Sequence, residues 1–255
     1  MQGRRIAKRG GGRLVMAAVA LLLAAAASAL GQTPPPDVSG VWSPSNAISV
    51  ADTALRPPPS PLLLKPEYAA PFDARRKVEA EAAARGEPIA GGAVACVPYG
   101  MPRMMSVALY PIEILPTPGQ ITIVTEAFSE VRRIYLNKPQ PAIDDVPPGY
   151  YGHSVGHWEG GTLVVDTVGI KTSVPAYQNM PHSDRMRITE RIRLVNADLL
   201  HDQITIDDPV VLEKPVTYTL AYRRMPGYEM VEFVCDNNRE FIDEKGGTHL
   251  KLRGR

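Results

Sequence analysis

The residues best suited to chemistry lie in two neighbouring stretches, GHSVGHWEGGTLVVDT at 152–167 and PHSDRMRITERIRL at 181–194. In the second, alternation puts Met186, Ile188, Glu190, Ile192 and Leu194 on one face of a strand and Arg187, Thr189, Arg191 and Arg193 on the other. Glu190 therefore falls on the apolar face, where an unpaired carboxylate is costly and needs a partner or a function. His182 and Asp184 sit in the loop just before it, and the carboxylate could orient the imidazole as a general base. Ser183, between them, lacks the Gly-x-Ser-x-Gly turn of a hydrolase nucleophile. The competing reading of this tetrapeptide is an Asx-type turn that caps backbone groups.

In GHSVGHWEG, His153, Val155 and His157 share one strand face. At ~3.3 Å per residue the two imidazoles stand roughly 13 Å apart and cannot grip one metal. His153 is the candidate for proton transfer, and His157, followed by a turn, reads as structural or exposed. Further along, Ile204 and Ile206 point inward with Asp202 at the rim, and Val216, Tyr218, Leu220 and Tyr222 line the next strand. Tyr218 and Tyr222 facing an acid suit the wall of a small-molecule cavity. The alternative is a filled core in which the phenols satisfy Glu190. Glu126, in phase with Val124 and Phe128, and Arg133, in phase with Val131 and Tyr135, are expected to meet across a hairpin near Ser129 and Glu130. That pair is either a buried ion pair or, through Arg133, a holder for a carboxylate or enolate oxygen.

These groups need a frame. Arg4, Arg5, Lys8, Arg9 and Arg13 precede an apolar run from Leu14 to Ala27 and small residues up to Gly31, so 1–31 read as a cleaved export signal. The run is shorter than the ~20 residues of a bilayer span, and no stable membrane anchor is expected. Losing those five basic residues from 28, against 27 acidic, leaves 23 and 27 and a net charge of −4. That excludes the concentrated basic surface of a nucleic-acid binder. The two cysteines, Cys96 and Cys235, are expected to form a disulfide closing a loop of about 140 residues, worth roughly 4–5 kcal/mol in the chain-entropy model.

Residues 32–95 read as a proline-rich strap plus one helix over Pro66–Arg85, with Tyr68, Phe72 and Val78 docked on the body and the charged residues solvated. From Cys96 the period changes to two, and successive β-branched segments are joined by Pro118-Gly119, Glu159-Gly160-Gly161, Asn196-Ala197-Asp198 and Pro226-Gly227. The fold class expected is mainly β, an antiparallel meander over 96–245 closing into a lipocalin-like barrel or strongly curved sheet, with a disordered tail at 246–255. No phosphate-cradling glycine loop or metal-type cysteine run occurs in the mature chain, so no cofactor is expected. No metal is expected either, the alternative being a mononuclear site built from His153, His182 and a carboxylate.

VPYGMPRMM at 97–105, RRIYL at 132–136, GHSVGHWEGGTLVVDT, PHSD, TERIRL at 189–194 and the closing EFVCDNNR are similar to a large group of exported proteobacterial and acidobacterial proteins. The resemblance covers 37–240 and implies export and a shared β-rich body more than a reaction. Gly161 stands where that group usually has Asp. Gly40-Val41-Trp42 also resembles the Gly-x-Trp start of lipocalin-like barrels.

The function these readings point to is a periplasmic or secreted, cofactor-independent acid–base enzyme, an isomerase, lyase or hydratase acting on an apolar small molecule. Glu190 and His182 would exchange protons, Asp184 would orient His182, and Arg133 or Tyr218 would steady negative charge. The rivals are a carrier of a hydrophobic ligand and a structural envelope component with a solid core.

Overall fold

Period-two segments become nine strands in ring order: β1 (Gly40–Pro44), β2 (Ile112–Thr117), β3 (Gln120–Thr125), β4 (Val131–Leu136), β5 (His153–Glu159), β6 (Thr162–Val168), β7 (Arg187–Asn196), β8 (Leu199–Asp207) and β9 (Val216–Arg224). Each pairs with the next, and β1 pairs antiparallel with β9 to close a lipocalin-like barrel. The computed structural model describes residues 34–44, 57–86, 96–107 and 110–234, and the backbone of a strand pair at 240–242 and 248–250. The expected export signal at 1–31 and Cys235 lie outside the described residues. Residues Pro36–Arg255 form one unit.

Turn chemistry sets several hairpins. Gly119 (φ +80°) closes β2 onto β3, and Gly160 (φ +57°) closes β5 onto β6. Asn196 Oδ1 accepts from the Asp198 N–H at 2.9 Å between β7 and β8. The meander is broken once: β4 and β5 run parallel, in register Ile134↔Ser154. The link 137–152 is long enough to return the chain to the end from which β4 started. β6 and β7 are joined by another long loop, 169–186, which carries PHSD.

Phase follows the alternation on β7: Ile188, Glu190 and Ile192 are buried, while Arg187, Arg191 and Arg193 are exposed. The same inner side collects Ile123, Ile134, Val165, Ile204, Ile206, Val216, Leu220 and Tyr222. Trp42 on β1 is fully buried, its Nε1–H donating to Val38 O at 3.0 Å and its ring covered by Arg224 at 4.2 Å. Gly40, at φ +102°, makes the bend that admits the indole.

The proline-rich strap is bonded rather than merely draped. Ser60 N–H donates to Thr217 O at 2.8 Å and its Oγ accepts from Thr217 N–H at 2.6 Å. It thereby pairs part of β9 beyond the register of β1, which ends at Pro44↔Tyr222. The single α-helix of the described residues, α1 (Pro66–Ala84), starts on a proline, whose missing N–H costs nothing there. Phe72 is buried and Tyr68 half-buried, but Val78 is 63% exposed, so the docking face is narrower than expected. Nor are the helix charges merely solvated: Arg75 donates to Asn179 O, and Arg76 Nη1 to Gln178 Oε1 at 3.4 Å. An unstructured tail is expected from 246; instead Thr248–Leu250 (β11) pairs with Glu240–Ile242 (β10). No helix among the described residues is long and apolar enough to cross a membrane.

Gly152 and Gly160 separate conformation from crowding. Both have positive φ, but a Cβ at Gly152 would lie 2.4 Å from Val168 O, whereas Gly160 has nothing within 4 Å. Gly152→Ala is expected to cost roughly 2–4 kcal/mol and Gly160→Ala only about 1 kcal/mol. Urea denaturation of the two variants measures this, and equal losses would refute the packing around 152.

Candidate functional site

Glu190 obtains its partner from β4. Arg132 Nη1 donates to Glu190 Oε1 at 2.8 Å and Nη2 to Oε2, a two-pronged contact with the side chains 1% and 0% exposed. Arg132 Nε donates to Ser154 Oγ at 3.2 Å, and Nη2 also to Thr167 Oγ1 at 2.9 Å. Ser154 and Thr167 lie opposite each other across β5 and β6, their hydroxyls 2.8 Å apart. Val165↔Glu190 and Ile134↔Ser154 place all of these groups on the inner face. One guanidinium thus ties β4, β5, β6 and β7 together inside the barrel.

A second acid completes the cluster. Asp202, expected at the rim, is fully buried on β8, opposite Ile192 and one inner position from the residue facing Glu190. Neither of its oxygens receives a donated hydrogen bond. A carboxyl proton would resolve this, because a protonated Asp202 becomes a donor beside Glu190. Burial pushes the Asp202 carboxyl well above the usual carboxylate range, and the Glu190 charge adds to it against the pull of Arg132. Tyr218 and Tyr222 stand on the same side of β9; burial first, with the Glu190 charge acting in the same direction, keeps both as neutral phenols. Tyr222 OH donates to Met105 O.

The remaining expectations are redistributed. Arg133 is exposed on the outer face, because β4 turns Arg132 and Ile134 inward; the phase is one residue off the expected one. Glu126 does not meet Arg133. Its Oε2 accepts from Tyr228 OH at 2.9 Å and from Val231 N–H at 3.2 Å, anchoring the segment after β9. His153 lies on the outer face of β5, stacked on Tyr135 with centroids 5.3 Å apart. His157 is exposed and meets Glu159 at 3.1 Å.

His182 is buried, but its Nδ1 faces Ser183 O at 2.9 Å and Nε2 faces Val174 O at 2.8 Å, so neither nitrogen engages Glu190. Asp184 is exposed near Arg185 and does not orient the imidazole. The loop is organised by Asp208, which accepts from Ser183 N–H at 2.6 Å and Ser183 Oγ at 2.8 Å, and also from the Val210 and Val211 N–H groups. PHSD is therefore a turn pinned by a distant aspartate. Among the described residues no three His, Cys, Asp or Glu side chains are grouped to hold a metal.

Where the interior meets solvent, Tyr218 lines a cleft of about 190 Å³ with Pro102, Arg103, Ser106, Tyr177 and Gln178. The Tyr177 ring lies flat on Tyr218, 4.2 Å between centroids and 16° apart. Gln178 and Asn179, next to it, both adopt left-handed φ, at 53° and 60°. Non-glycine residues held there cost about 1–3 kcal/mol each and mark a conformation imposed by surrounding contacts. The Arg75 and Arg76 bonds from α1 supply those contacts, with Arg103 Nη1 donating to Asn179 Oδ1 at 3.3 Å.

No protein-family model matches the chain, and no curated protein matches it.

Arg132→Met strands a buried carboxylate and is expected to cost about 3–5 kcal/mol, most of it recovered in Arg132→Met/Glu190→Leu. A urea-denaturation double-mutant cycle measures the coupling, and additive losses would show that the pair is uncoupled. Asp202 gives a pH signature. Its unfolded carboxyl releases a proton near 3.8, while the folded one retains it. The unfolded state then holds fewer protons, so stability falls as pH rises from that value through the raised folded one; below it both states are protonated and the effect vanishes. Asp202→Asn, which keeps an N–H donor toward Glu190, is expected to flatten that decline in melting temperature as pH rises above about 4. An unchanged slope would mean that Asp202 is ionised in the native protein.

Proposed function

We propose that the protein is an exported, small-molecule-binding barrel whose ligand occupies the cleft beside Tyr177 and Tyr218. The observation that carries this reading is the cleft itself: a nearly buried interior phenol meets solvent beneath a loop held in two left-handed residues. About 190 Å³ is below the ~300–1,000 Å³ of drug-sized sites, which suits a molecule of one ring. The buried Arg132–Glu190 pair favours binding over turnover as the primary role, since each charge is already matched by the other.

Acid–base chemistry on the bound molecule is the second reading. It is favoured by the buried Asp202 acid beside Glu190, whose charge is felt at Tyr218. In that reading Asp202 gives its proton to the bound molecule and regains one from it as the product forms, and neither His182 nor Asp184 takes part.

Export to the periplasm rests on the basic and apolar leader and on the resemblance of the motifs to exported bacterial proteins. A Cys96–Cys235 bridge belongs to the same reading, supported by the lack of a free cysteine among the described residues.

Native mass spectrometry of the protein purified from its own host is expected to show one small molecule per chain, lost in Tyr177→Ala with little change in melting temperature. Retention of the same molecule by the variant would move the site elsewhere. Incubation of that molecule with the wild type and with Asp202→Asn separates the two readings: turnover by the first alone makes the protein an enzyme.

A further inference from the structure

The cleft presents donors and a cation on one side and rings on the other. Arg103 stands over the Tyr99 ring at 4.9 Å and spends one N–H on Asn179 Oδ1. Its other donors remain, and among the described residues no carboxylate pairs with it. That sets it apart from Arg75, Arg185, Arg187 and Arg191, which pair with Glu79, Asp144, Asp166 and Glu159 respectively. Gln178 gives its Oε1 to Arg76, so only its amide N–H groups are left for the cleft. The Tyr218 hydroxyl has no hydrogen-bond partner among the described residues, and as a neutral phenol it can donate. Guanidinium, amide and phenol donors together call for an acceptor-rich anionic group, and a planar fork favours a carboxylate. The flat Tyr177–Tyr218 pair is the wall against which a ring would lie.

We infer that the cleft is built for a single-ring carboxylate, its ring against the Tyr177–Tyr218 wall and its carboxylate on Arg103. This rests on the binding reading above and adds the charge and shape of the ligand. A charge-assisted contact of this kind distinguishes benzoate from uncharged benzamide by on the order of tenfold in affinity.

Isothermal titration of the mature protein with each compound measures that preference. Benzoate is expected to bind about tenfold tighter, and the advantage to shrink at high salt because the contact is near the surface. Arg103→Gln is expected to remove the advantage without weakening benzamide, Arg103→Lys to keep part of it, and Arg185→Gln to leave it intact. Circular dichroism melts of the exposed-site variants confirm that each is folded. Equal affinities in the wild type, absence of benzoate binding, or an advantage that survives Arg103→Gln overturns this inference. The binding reading itself falls only if native mass spectrometry also shows empty chains.

Discussion

A carboxylate in the dry centre of a barrel is tolerable only if a cation reaches it with its donors correctly aimed, and the Arg132–Glu190 contact meets that demand. Much of the surrounding architecture follows. The guanidinium must cross from β4 to β7, so the intervening strands carry short hydroxyl side chains, Ser154 and Thr167, where larger ones would block its path. The parallel pairing of β4 with β5 sets Ser154 beside Ile134 and close to Arg132 on the same face. Asp202 fits this centre only as an acid, since a second negative charge would leave the cluster with one cation for two anions. Such a network specifies register: a one-residue slip of β4 or β7 would turn a charged group outward and strand its partner.

Outside the barrel a second set of contacts holds the loop that covers its mouth. The strap adds backbone pairing along β9, and α1 is attached through Phe72. From that platform Arg75 and Arg76 grip Asn179 and Gln178. The cleft therefore combines two kinds of support, a rigid wall from β9 and a strained loop held by a helix far away in sequence. Binding sites are often assembled this way, with mobile elements braced against a stiff frame.

The barrel was legible because period-two alternation and turn residues are local signals, and β7 shows this most clearly: its inward set is the alternating one. The helix was legible from composition. Its grip on 178–179 was not, because a pairing about 100 residues apart leaves no periodic trace. Read from sequence, Arg133 takes the inner place of Arg132 for a physical reason: in VRRIYL both phases contain one arginine and apolar neighbours, so alternation alone does not choose. The deciding cue was available, since an interior Glu190 demands an interior cation. Alternation puts Asp202 at the rim because an acid near the start of a strand reads as a rim residue, and only the closed ring shows how far inside that position lies. PHSD looked catalytic because His, Ser and Asp adjoin, yet the group that shapes the loop, Asp208, lies 25 residues from Ser183.

The seam between β1 and β9 ties the two ends of the barrel in an order opposite to that of synthesis. β1 is made first, yet its partners β2 and β9 come about 70 and about 180 residues later. Until the last strand emerges, Trp42 has no interior to enter and the ring stays open along one side. Folds rich in long-range closures of this sort fold more slowly than those built from local contacts. Closing the ring therefore requires the most distant contact in the barrel, that of β1 with β9.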